Sequence, residues 1–346
     1  MYNEKKYGFA RAKMKQIIEN TKPLFDEDGE VKFGGWSKFP LFEYNKDDYG
    51  APKQLVEKDS YFISSDEMGF YISVETEGSE LGIRIILIDY KTKEIVRDSI
   101  RKKLWLDPTP LPQSPNLGEF KYNDKKLAMT ITNTVDGNYI KCDFIDFNNY
   151  KNLFVKVKIR ETNGESMNII APFDKNPKSF YHKRFVPNFT ADGVVRIGGK
   201  DYNLNEKNSF VYLDWSRYSL PKRQKFQMFS TVFDNNEKRV AINFASKVGN
   251  NRRGSENCYF INGKMTKVGR LRVAGDDKSN ESDWEFSTVD KRVGLRFIPS
   301  KTGGKAVLCK CDNITVVFGK LNGTLADGDT LMNIDGINAH MIFTQI

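Results

Sequence analysis

Apolar and polar residues alternate with a period of two along most of this chain. The run Leu153-Phe154-Val155-Lys156-Val157-Lys158-Ile159-Arg160 is the clearest case. In an extended strand Val155, Val157 and Ile159 share one face, and Lys156, Lys158 and Arg160 share the other. That pattern predicts antiparallel sheets with one dry face and one wet face. Turn pairs punctuate it: Asp136-Gly137, Asn163-Gly164, Gly198-Gly199 and Asn262-Gly263. The last is a pair favoured in type I′ hairpins.

Strands are predicted over 69–76, 82–90, 94–100, 126–133, 139–147 and 153–160. A second series covers 194–197, 200–204, 210–213, 226–233, 239–245, 257–261, 264–268, 284–289, 292–299, 313–318, 330–334 and 339–346. One short helix is predicted over about 9–20, ended by Thr21-Lys22-Pro23. Pro108, Pro110, Pro112 and Pro115 make 106–118 a loop or edge segment, because proline cannot donate to a ladder. Pro172, Pro177 and Pro187 make 171–188 read as the crossover between two lobes. The expectation is an all-β chain of two antiparallel barrel or sandwich lobes, 1–170 and 171–346.

Composition supports this reading. At 346 residues the chain has room for about two domains. Its 25 Phe and 15 Tyr suit sheets better than helices. No apolar run approaches the ~20 residues of a membrane helix. The polar first ten residues carry no leader pattern, so a cytoplasmic location is expected.

Of the four cysteines, Cys142 and Cys258 are isolated. Cys309 and Cys311 fall on one face of one strand, a poor geometry for a disulfide. Reduced thiols are expected. With only His182 and His340 available, no metal site is expected.

The net charge of +9 is spread along the chain. Its densest patches, Lys222-Arg223-Gln224-Lys225 and Arg252-Arg253, sit near turns, and no nucleic-acid motif surrounds them. No nucleic-acid partner is therefore expected. A nucleophile elbow, a Walker loop and a dinucleotide fingerprint are all missing, so no cofactor is expected. Asp327-Gly328-Asp329 reads as a plain turn.

The best candidate chemistry is Asp214-Trp215-Ser216-Arg217, at the end of a predicted strand. A carboxylate beside an indole can have a raised pKa and act as a general acid. The bland alternative is an Asp214–Arg217 ion pair closing a turn, with Trp215 in the core. Glu256 is the second carboxylate of interest; its bland reading is a solvated hairpin residue.

A series of pieces in fixed order resembles the bacterial domain-of-unknown-function family 2804. They run from Leu24-Phe25-Asp26 and Gly29 through Gly35-Trp36-Ser37-Lys38-Phe39-Pro40-Leu41 to Tyr44-Asn45. Leu111-Pro112-Gln113-Ser114-Pro115, Gly118, Tyr122, Phe180-Tyr181 and Ala191-Asp192-Gly193 follow. Then come Leu213-Asp214-Trp215-Ser216-Arg217, Ser255-Glu256-Asn257, Asn262-Gly263 and the segment 292–299. Val317-Phe318-Gly319, Gly323 and Asp327-Gly328 close the series.

The chain departs from the family pattern at four places. Ser216 stands where glycine is usual, and Asn250 near a usual aspartate. Phe185 stands where a lysine follows the Phe-Tyr pair, and Ala339 at a usual carboxylate. If those groups carry an activity in the family, this member has altered or lost it. The two-lobed plan and the Asp-Trp segment are also similar to a lipocalin-like superfamily that includes carotenoid hydratases and tocopherol cyclases.

The resulting expectation is a binding protein that holds a small apolar ligand in a β-barrel pocket, with Trp215, Trp36 and Tyr181 as lining residues. One alternative is a metal-independent hydratase-, cyclase- or isomerase-like enzyme. There Asp214 donates the proton, Arg217 orients it and Glu256 assists as a base. The other alternative is a structural or interaction protein with a vestigial site.

Overall fold

The computed structural model describes residues 17–103, 111–148, 151–173, 176–221, 225–246, 255–276 and 279–345. These residues form strands, turns and two 3-10 turns at Lys46–Asp48 and Pro52–Gln54, with no α-helix among them. Residues 9–16 of the expected helix lie outside the described residues. Residues 17–20 are not helical; Ile17 bridges to Trp36.

Two curled half-barrel sheets make up the molecule. The first has 13 strands. Its main path runs Ile95–Lys103, Glu80–Asp89, Met68–Glu77, Val56–Ser64, Phe210–Ser219, Asn176–Ile197, Lys151–Glu161, Gly137–Phe147, Leu127–Thr134 and Gly118–Asn123. Met167–Phe173 pairs with Asn176–Ile197 and carries Gly35–Ser37 on its other edge. The second sheet has 10 strands. Its path is Lys264–Lys267, Cys258–Ile261, Lys238–Ser246, Lys225–Asn235, Thr330–Gln345, Ile314–Asp327, Val293–Pro299, Trp284–Thr288 and Leu271–Ala274. The first sheet ends at Ser219 and the second begins at Lys225, so the Phe210–Ser219 strand leads directly from one to the other.

Alternation builds three apolar layers. Val155, Val157 and Ile159 fill the concave side of the first sheet, together with Tyr61, Leu213 and Trp215. Phe229, Phe244, Phe286 and Phe297 fill the second sheet's own core. Between the sheets lies a third layer, in which Phe62, Tyr181, Phe185 and Tyr212 meet Met228, Phe260, Phe318 and Ile342. The central strands of the first sheet are therefore buried on both faces. Polar ties also cross this contact: Arg84 Nη2 lies 3.1 Å from Glu75 Oε1 on its own sheet and 2.7 Å from Asp312 Oδ2 beside the other.

Two segments differ from the sequence expectation for physical reasons. Within the region read as a crossover, residues 171–173 and 176–188 belong to the strands 167–173 and 176–197. Two of its prolines mark bulges. The register shifts between Pro172 and Phe173, and again between Val186 and Phe189, on either side of Pro187. A bulge lets the ladder continue past a residue that cannot donate. Val56–Ser64 was hidden differently. Its Glu57, Lys58, Asp59 and Ser60 are all buried, so it shows no alternation of polarity.

Candidate functional site

Three neighbouring strands of the first sheet each send side chains in two directions. On Asn176–Ile197, Tyr181, Lys183 and Phe185 face the second sheet, while Phe180, His182 and Arg184 face the concave side. On Phe210–Ser219, Tyr212, Asp214, Ser216 and Tyr218 face the second sheet, while Trp215 and Arg217 face away from it. On Val56–Ser64, Glu57, Asp59 and Tyr61 share the concave side. Period-two geometry therefore splits the Asp-Trp-Ser-Arg segment between two environments.

At the contact of the two sheets, Lys183 is completely buried. Its Nζ lies 2.9 Å from Asp214 Oδ2 and 2.7 Å from Glu256 Oε2. It also donates to Asn243 Oδ1 at 3.0 Å. The three ammonium protons thus have three oxygen partners, drawn from both halves of the molecule. Tyr181 Oη donates to the other Glu256 oxygen, Oε1, at 3.0 Å. Asn243 Nδ2 donates to Glu256 Oε2 at 2.9 Å, and Ser230 Oγ donates to Asn243 Oδ1 at 3.0 Å. Ser216 Oγ donates to Asp214 Oδ1. Ser216 therefore supplies a hydrogen bond to the carboxylate.

Electrostatics follow from this packing. Burial alone raises the Asp214 pKa, but the Lys183 and Lys58 charges and the hydrogen bonds outweigh it and hold the carboxyl below its ordinary range. Asp214 is thus an ionised acceptor. The indole expected to raise its pKa points to the opposite face. Burial disfavours the Lys183 ammonium, yet Asp214 and Glu256 more than compensate and raise its pKa. Burial and the neighbouring carboxylates push the Tyr181 phenol well above its ordinary value.

Arg217 does not meet Asp214. On the concave side its Nη1 lies 2.7 Å from Asp59 Oδ1, and its Nε lies 3.2 Å from Glu57 Oε1. Its Nη2 donates to the Pro112 carbonyl at 2.8 Å. The guanidinium stands 4.1 Å from the centre of the Trp215 ring. Trp215 packs edge-on against Tyr44 and His182. Trp36 is half-buried at the edge of the inter-sheet layer.

The structure therefore brings Asp214, Glu256 and Tyr181 together on Lys183, and leaves Arg217, Trp215 and Trp36 elsewhere. The resemblance puts a lysine position at Phe185, whereas the buried lysine of this cluster is Lys183. The two residues share a face two positions apart, and a strand reading of Tyr181-His182-Lys183 would have paired Lys183 with Tyr181. Ala339 faces the second sheet's core, and Asn250 lies outside the described residues. No cluster of three or more His, Cys, Asp or Glu side chains suited to a metal occurs among the described residues. The four cysteines are buried free thiols.

The family model described as Domain of unknown function (DUF2804) matches residues 15–339. No curated protein matches the chain. Solved structures to which it is similar include a protein assigned as an AttH from Nitrosomonas europaea, at 9% identity and TM-score 0.48, covering 84% of this chain and 92% of that one. Kievitone hydratase from Nectria haematococca gives 10% identity and TM-score 0.49, covering 84% and 88%. CghA gives 10% and 0.46, with the same coverage of 84% and 88%.

Proposed function

This chain belongs to the DUF2804 family, and we propose that it binds a small, largely apolar molecule where its two sheets meet. In this reading Lys183, Asp214, Glu256 and Tyr181 recognise the polar group of that molecule, and the inter-sheet layer around Phe185, Met228 and Phe260 receives the rest. The observation that carries the reading is the Lys183 ammonium, fully buried between carboxylates from both halves of the chain. Stability alone is a weak reason to keep such a group, since apolar side chains of similar volume often serve as well or better. Buried groups with shifted titration also concentrate at sites that bind or react.

A second reading adds proton transfer to binding. It is favoured by Glu256, which accepts from both Tyr181 and Lys183. Asp214, held ionised, would begin such a cycle as the acceptor, not as the acid.

Native mass spectrometry of freshly purified protein, followed by solvent extraction, tests the binding reading. The expected result is a stoichiometric apolar compound that Glu256→Gln retains less well. An apo mass, with no saturable binding of the neutral probe N-phenyl-1-naphthylamine, would overturn it.

A further inference from the structure

The concave side of the first sheet carries a row of polar residues in direct register. Ser37 pairs with Asn168, Asn168 with Arg184, Arg184 with Trp215, and Trp215 with Asp59. All five are buried. Ser37 and Asn168 hydrogen-bond within the row and to neighbouring groups, and Asp59 is paired with Arg217. The two central members differ. Arg184 is only 8% exposed, forms no ion pair among the described residues, and its Nε has no hydrogen-bond partner. Trp215 Nε1, on the adjacent strand, has none either.

Directly opposed residues on neighbouring strands have Cβ atoms about 4.5–5.5 Å apart. Each of these paired residues holds one buried donor nitrogen without a partner, which is costly unless an acceptor meets it. The carboxylates in reach are engaged: Arg217 takes Asp59 and Glu57. Exposed Glu161 influences Arg184 electrostatically but forms no ion pair with it among the described residues.

We propose that Arg184 and Trp215 form a binding site for the carboxylate of a small organic acid, on the opposite face of the sheet from Lys183. The guanidinium fork matches a carboxylate bidentately, and the indole N–H supplies a further donor. The site stands independently of the inter-sheet reading, because no side chain is common to the two.

The indole N–H resonances of 15N-labelled protein report on it, with the Trp215 signal identified by its loss in Trp215→Phe. Benzoate and inorganic phosphate are titrated separately. The expected result is a saturable shift of the Trp215 signal with benzoate, weakened about tenfold or more in Arg184→Met. Arg184→Lys, which keeps charge but not the fork, should fall between the two. A saturable response to phosphate alone would replace the organic acid by an inorganic anion and overturn the assignment. So would an unmoved wild-type Trp215 signal, or an undiminished response in a folded Arg184→Lys or Arg184→Met protein.

Discussion

Lys183 Nζ, on the first sheet, stands 2.7 Å from Glu256 Oε2, just before the Cys258–Ile261 strand of the second sheet. This contact joins the halves of the molecule through a buried charge pair. Removing one partner leaves the others charged and unpaired in a dry layer. Lys183→Met is therefore expected to destabilise by about 3–5 kcal/mol in chemical denaturation. Adding Asp214→Asn and Glu256→Gln to the same chain should recover a large part of that loss, because neutral amides can pair where orphaned carboxylates cannot. A triple variant no more stable than Lys183→Met would show that the cluster contributes through shape, not charge.

The segment Asp214 to Arg217 offers a sharper test. Read as a turn, it would place an internal ion pair between its ends. In the structure Asp214 pairs with Lys183, and Arg217 pairs with Asp59 on the other face. Double-mutant cycles should therefore give a coupling of order 1–3 kcal/mol for Asp214 with Lys183, and less than about 0.5 kcal/mol for Asp214 with Arg217. Equal couplings in the two cycles would contradict the two-faced geometry.

Legibility in the sequence followed where the charges lie. Strands with one wet face, such as Lys151–Glu161 and Val293–Pro299, are written as alternation and were readable to within a few residues. The Asn262-Gly263 hairpin was readable as well, and both residues have positive φ, 48° and 77°. One central strand was not, although the doubly buried Met68–Glu77 and Glu80–Asp89 were. Val56–Ser64 is buried on both sides and carries charges on both sides, so its pattern imitates a polar loop. Within the site, Asp214 and Glu256 were legible as unusual carboxylates. Lys183 was not, because its partners come from distant parts of the chain and no local spacing announces them.

Two glycines of the family pattern have a backbone reason to be glycine. Gly193 has φ 133°, and a Cβ there would sit 2.1 Å from the Lys156 carbonyl oxygen. Gly323 has φ 126°, and its Cβ would sit 2.1 Å from the Gly294 carbonyl oxygen. Each lies in a long strand, facing a neighbouring strand's backbone, which cannot step aside as a side chain can. Gly193→Ala and Gly323→Ala should each cost at least about 1–3 kcal/mol, read as a lowered denaturation midpoint. Gly199 has positive φ but open space around its Cβ, so Gly199→Ala should cost less than either.

Acid should destabilise the fold through its histidines. His182 and His340 are both buried, and desolvation lowers their pKa values to about 4 and about 3, from 6.5. His182 donates Nδ1–H to the Ile169 carbonyl, and His340 Nε2 shares a hydrogen bond with Tyr212 Oη. Between pH 6.5 and about 4 the unfolded chain binds protons at these sites that the folded chain refuses. Stability contributed by the neutral rings is therefore complete above pH 6.5 and is lost as pH falls through that window. Each ring accounts for a slope approaching about 1.4 kcal/mol per pH unit. Denaturation at pH 7 and pH 5 should differ accordingly. The difference should shrink in His340→Gln, which removes one titrating ring and keeps a side chain able to hydrogen-bond Tyr212. A pH dependence unchanged in that variant would overturn the part given to His340 and leave the loss to His182.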